Sequence, residues 1–293
     1  MPKISKRIMS FVLIVTLALA TSFSISANNS IDSKINKFDI VQAKKDLMEK
    51  HKGNEKQLSL LDENDRKKEV SAIFIKITNG IDTQESIDKE LEKLGIYKLE
   101  VPVSEDEVTP SSTSSDVDLA TPFIYYDTQI NQWCVAASGN WSTDKWFYED
   151  TVGDCGGPDG VGIAYYNTSG TYTAKVKSSY AYMTDQKGEN TIETDNPTNG
   201  DGKLGVEFEL QDKCPYNPTD VRYIGARFGC QIWYSSDWST FNGKARTVYA
   251  HTWSSTTINS VKFGVSGKTA GFDITFSSSN NRFSCVNGTD ASF

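Results

Sequence analysis

From Thr121 to the carboxyl terminus, apolar and polar residues alternate in short runs. GTYTAKVKSSYAY (170–182) sets Tyr172, Ala174 and Val176 against Thr173, Lys175 and Lys177, and KLGVEFEL, VRYIGARFGCQIWY, RTVYAHTW, INSVKFGV and TAGFDITF repeat the period of two. Successive side chains of a strand point to opposite faces, so this pattern predicts antiparallel sheet with one wet face. NTSG, TNGDG, FNG, VSGK and SSNN separate the runs with turn residues. About nine or ten strands in these 173 residues predict a β-sandwich or jelly roll.

The preceding chain has another rhythm. Residues 30–70 are rich in Lys and Glu with scattered Ile, Phe and Leu, and read as helix. SAIFIKIT (71–78) alternates like a strand, DTQESIDKELEKLG (82–95) reads as a helix, and IYKLEVPV (96–103) again as a strand. The helix has a capping box in Asp82 and Glu85, one apolar face in Ile87, Leu91 and Leu94, and a stop at Gly95. The expected organisation is mainly β: a sandwich or jelly-roll-like domain at 121–293, preceded by a small, charged, α/β prosegment-like or accessory region at 28–103. An acidic Ser/Thr/Pro linker at 104–120, containing SEDEVTPSSTSSD, joins the two.

Residues 1–27 change the compartment. Lys3, Lys6 and Arg7 precede an apolar run from Ile8 to Ala20, then small and polar residues, which is the form of a secretory signal peptide. The run is too short for a bilayer, which needs about 20 residues, so no integral membrane segment is expected after cleavage. The leader suits a Gram-positive exporter, and the mature chain is expected to be secreted and extracellular.

The formal net charge is −8, and residues 104–293 carry 13 Lys/Arg against 23 Asp/Glu. Such a surface repels phosphate backbones and anionic headgroups, so nucleic acid is excluded as a partner. All six Trp, 12 of 13 Tyr and 10 of 14 Phe lie in 121–293, as do all five Cys. In an exported chain the cysteines predict disulfides. Closeness in sequence favours Cys134–Cys155 and Cys214–Cys230, with Cys285 left over.

Within VGDCGGPDG (152–160), GDCGGP resembles the nucleophile signature of chymotrypsin-like proteases, with cysteine in place of serine. The resemblance implies Cys155 as nucleophile and the N–H groups of Gly153 and Cys155 as oxyanion hole. The family order is histidine, aspartate, nucleophile, whereas here His51 lies in the charged helical stretch and His251 follows the motif. The stretch therefore reads as a glycine-rich turn with a bridged Cys155.

GVEFELQ (205–211) puts Glu207, Glu209 and Gln211 on one face and resembles, incompletely, the E-x-D-x-E strand of jelly-roll glucanases. The resemblance implies Glu207 and Glu209 as catalytic carboxylates. A retaining glycosidase needs such groups about 5–5.5 Å apart, near the roughly 7 Å between same-face neighbours on a strand. TDNPTNGDGK (194–203) offers a loose calcium set in Asp195, Asn199 and Asp201, but reads more economically as a hairpin turn. With one histidine in the β region and its cysteines paired, the chain is expected to hold no metal and no cofactor.

VRYIGARFGCQIWY presents Ile224, Ala226, Phe228, Cys230, Ile232 and Tyr234 as core and Tyr223, Arg227, Gln231 and Trp233 on the opposite face, separated by glycines. If RTVYAHTW lies beside it, Tyr249, His251 and Trp253 extend that face. Flat rings with interspersed donors suit a sugar or peptide. The ligand residues expected are Tyr223, Arg227, Gln231, Trp233, His251 and Trp253. The function expected is an extracellular binding module for a cell-envelope glycan or surface protein, with an antibacterial role as one form of it. The alternatives are a secreted glycoside hydrolase and a matrix or coat protein.

Overall fold

The computed structural model describes residues 38–53, 62–78, 82–101, 115–144, 146, 153–167, 174–215, 220–266, 269–287 and 290–293. The leader 1–27 and residues 104–114 of the linker lie outside them. The described chain is mainly β, and it opens with three helices, α1 (Ile40–Lys50), α2 (Glu63–Thr78) and α3 (Gln84–Lys93).

The second helix corrects the strand expected over SAIFIKIT. Arg66, Val70, Ile73, Phe74 and Thr78 are buried at spacings of three and four, so the alternation of 71–78 is a fragment of a longer helical stripe. Burial of that stripe against a sheet overrides the strand preference of the isoleucines. In α3 the N-cap is Thr83, one residue beyond Asp82, and its hydroxyl accepts from the Ser86 N–H. Ile87 and Leu91 are buried, and Gly95 ends the turn at φ +75°.

The strands are β1 (Ile96–Lys98), β2 (Val117–Leu119), β3 (Phe123–Asp127), β4 (Gln132–Trp141), β5 (Gly153–Asp154), β6 (Asp159–Asn167), β7 (Val176–Thr184), β8 (Thr191–Thr194), β9 (Asn199–Gly200), β10 (Gly205–Leu210), β11 (Lys213–Cys214), β12 (Arg227–Ser235), β13 (Gly243–Thr252), β14 (Ile258–Ser266), β15 (Thr269–Phe276), β16 (Arg282–Val286) and β17 (Ala291–Ser292). One sheet has the order β1-β3-β4-β12-β7-β8, with β2 also on β4; a second has the order β16-β13-β6-β10-β9, with β17 on β13. The pairings within both are antiparallel. Val135, Phe228, Cys230 and Ile232 of the first sheet meet Val161, Ile163, Phe208 and Tyr249 of the second in one apolar core.

Each sheet is also covered on its outer face. α2 and α3 lay Val70, Ile73, Phe74, Ile87 and Leu91 over Tyr125, Cys134, Ala136 and Trp233 of the first sheet. Polar keystones fix this layer: the Arg66 guanidinium donates to Asp127 at 2.7 and 2.9 Å, and both side chains are buried. Such a pair is unforgiving, because removing either partner strands a buried charge. The β14–β15 hairpin covers the second sheet, where Phe263 lies so close over Gly205 that a Cβ there would stand 2.0 Å from the ring. The molecule thus stacks helices, sheet, sheet and hairpin.

The strands β12 and β13 enter different sheets, which corrects the side-by-side arrangement. The turn between them, Ser236–Thr240, drives Trp238 into the core and carries the chain from one layer to the other.

Candidate functional site

The residues of the expected ligand face separate into two places. Arg227, Gln231 and Trp233 point to the outer side of the first sheet, beneath α2. There the Arg227 guanidinium donates to the Thr78 carbonyl at 2.7 Å, the Gln231 amide donates to the Ser71 hydroxyl at 3.0 Å, and Trp233 joins the cluster of Val70 and Phe74. Tyr223 does not share their face, because the chain turns at Gly225 (φ +147°) before β12 begins and breaks the alternation. It lies instead in the core between the sheets, with His251.

Around Tyr223 and His251 the interior is polar. Asp159 at the start of β6 and His251 near the end of β13 both point inward, and the His251 Nδ1 lies 2.9 Å from each Asp159 oxygen. Tyr249 donates its hydroxyl to Asp159 Oδ2 at 2.6 Å, and the Thr252 N–H donates to Oδ1 at 3.0 Å. Asp212, between β10 and β11, accepts from the Tyr223 hydroxyl at 2.8 Å through Oδ2. Its Oδ1 is buried and has no hydrogen-bond partner among the described residues. Asp159, Asp212 and His251 each offer a ligand atom within 4.8 Å of the others.

Burial and the neighbouring Asp159 charge raise the Asp212 carboxyl well above its ordinary range. Burial likewise raises both phenols, helped at Tyr249 by Asp159 and at Tyr223 by the Tyr249 and Asp212 groups, so they act as donors. Rings wall the cluster. Trp146 stacks on Tyr223 at 4.8 Å, Trp141 meets His251 edge-on at 4.9 Å, and Trp253 stacks on the imidazole at 5.4 Å. Trp253 and Phe283 are half-buried, so this aromatic wall continues to the surface.

The glycine-rich turn VGDCGGPDG builds one side of this cluster. Gly156 has φ +78°, and a Cβ there would stand 2.5 Å from the Trp253 Cα, so the two loops touch backbone to backbone. Cys155 is buried, donates its N–H to the Asp212 carbonyl at 3.1 Å, and has its sulfur 3.2 Å from that of Cys214. This corrects the pairing drawn from closeness in sequence. Cys134 faces the helices with Trp233, whereas Cys155 and Cys230 belong to the core between the sheets. Burial pushes the Cys134 and Cys230 thiols above their ordinary values.

Glu207 and Glu209 share the outer face of β10, under the hairpin. Glu207 is fully buried, accepts from the Asn199 amide at 2.8 Å, and is pushed up to about 8 by burial and by Glu209. Of the calcium candidates, Asn199 donates to Glu207 and Asp201 Oδ1 accepts from the Lys203 N–H at 2.9 Å, while Asp195 is exposed. The Asp195 carbonyl accepts from Ser179. Asp159 and Asp212 carry no warning in the sequence, since one reads as part of a Pro-Asp-Gly turn and the other as a strand end.

Among the described residues no helix is long and apolar enough to cross a membrane. Compared with models of known protein families and with curated proteins, the chain matches none.

Proposed function

We propose that the chain is a secreted proprotein whose two sheets form a β-sandwich of jelly-roll-like character, and that this sandwich is an extracellular binding module for a cell-envelope glycan or surface protein. The observation that carries the reading is the convergence of Trp253, His251 and Tyr223 with Trp141 and Trp146 at one end of the sheets. A half-exposed indole there stacks on an imidazole that Asp159 holds in place. Such a wall offers a flat apolar face next to oriented polar groups, which suits a sugar ring or an aromatic side chain.

A second reading, an enzyme, is favoured by the same Asp159–His251 pair, because a carboxylate on Nδ1 is how a general base is oriented. Glu207 and Glu209 fit that role less well, since Glu207 is sealed beneath the hairpin. The two readings part in one experiment on purified cell-wall material. Wild type is expected to sediment with it while releasing no soluble sugar or peptide, and Trp253→Ala is expected to sediment at least about tenfold less. Equal retention of the two proteins overturns the binding reading, and release of fragments that stops in His251→Ala establishes the enzyme in its place.

A further inference from the structure

The cluster at the core of this site leaves one carboxylate oxygen without a hydrogen-bond donor among the described residues. Asp159, Asp212 and His251 come from three separate places in the chain, are buried together, and bring two carboxylate oxygens and an imidazole nitrogen within 4.8 Å. Their outer partners are those of ligands held in position: Tyr249 and the Thr252 N–H fix Asp159, and Tyr223 fixes Asp212. Asp212 Oδ1 is the independent sign that something is due here, because a buried carboxylate oxygen without a partner is costly unless a proton or a cation meets it.

We propose that Asp159, Asp212 and His251 bind one divalent transition-series cation, zinc foremost. The donor set selects the class. Calcium takes six to eight oxygens, more than this site presents, and magnesium keeps most of its water, whereas an imidazole with two carboxylates suits zinc and its first-row neighbours. Three protein donors leave the fourth position of a tetrahedral ion to a water or a ligand group. The inference does not depend on what the loop end captures, since a bound ion would organise Asp212, Tyr223 and His251 in any case.

The test uses the full secreted chain, stripped by dialysis against EDTA and titrated with Zn²⁺ and with Co²⁺. Wild type is expected to take one equivalent of zinc and to melt at a higher temperature with it, and its cobalt form is expected to show ligand-field bands without sulfur-to-cobalt charge transfer. Tyr223→Phe, which keeps the ring against Trp146, is expected to weaken zinc about tenfold, and Asp212→Asn by about 100-fold or more. Failure of folded wild type to take up zinc stoichiometrically overturns the proposal, as do sulfur charge-transfer bands, which would put the ion on Cys155 and Cys214. If Asp212→Asn does not fold, the wild-type cobalt spectrum and Tyr223→Phe decide. Retention on cell-wall material by stripped protein separates the two ideas: it leaves the binding reading standing whether or not an ion binds.

Discussion

Glu207 occupies a position that an apolar residue would fill with less strain on the fold. Its Oε2 has Asn199, its Oε1 is buried with no hydrogen-bond partner among the described residues, and the hairpin above covers it. Burial therefore raises its pKa to about 8 from an ordinary 4.5. A carboxyl whose folded pKa is raised contributes its stability in full below the unfolded value and loses it as pH climbs through the folded value. Between about pH 4.5 and about pH 8 the wild-type fold should thus lose on the order of a few kcal/mol from this one group. Glu207→Gln is expected to match wild type at about pH 4 and to exceed it by a growing margin up to about pH 9, measured as urea midpoints. A difference that does not vary with pH would show that Glu207 stays ionised in the folded state. Its position on the same face as Glu209 is legible in the alternation of GVEFELQ, but what covers that face is not, because the hairpin begins some fifty residues later.

Among the elements, β5 and β11 are each two residues long and pair with each other, Gly153 with Cys214 and Asp154 with Lys213, while Lys213 also exchanges two backbone hydrogen bonds with Ile224. To the few backbone bonds of so short a pair the side chains add a contact, since the sulfurs of Cys155 and Cys214 lie 3.2 Å apart. Under oxidising conditions the two are expected to join. Closing a loop of this span stabilises by about 4 kcal/mol in the chain-entropy model. Peptide mapping of unreduced protein should recover one fragment linking residues 155 and 214; a link from Cys155 to Cys134 would contradict the packing. The strands β10 and β12 follow the alternation read in the chain, because Val206, Phe208 and Leu210 of the one and Phe228, Cys230 and Ile232 of the other are buried in the common core, whereas in β13 the face expected to meet a ligand turns inward with Tyr249 and His251. By contrast, SAIFIKIT misleads, since eight residues sample too little of a stripe that runs from Arg66 to Thr78. Local pattern gives the period only when the window exceeds two helical turns.

At the scale of the whole molecule, the helices are bound to the sheets by more than a linker. β1 pairs with β3, Arg66 reaches Asp127, and Lys44 of α1 donates to the carbonyls of Trp238 and Phe241 while lying 3.8 Å from the Trp238 ring. Cutting the chain at a protease site engineered into 104–114 is therefore expected to leave both pieces together in gel filtration, separating only in denaturant. Spontaneous dissociation would make the helical layer a detachable cover over Gln231 and Trp233.

The sequence by itself determined the mainly β character, the inward faces of β10 and β12 and the helix ending at Gly95, because burial of alternate or every third and fourth side chain is a local requirement. It also marked Tyr223, His251 and Trp253 as unusual. Only the tertiary structure decided that β12 and β13 part company, that α2 covers Trp233, and that Asp159 and Asp212 meet His251. Those outcomes depend on which strands pair across long separations, and a period of two records the face of a residue without naming the sheet or the neighbour it will face.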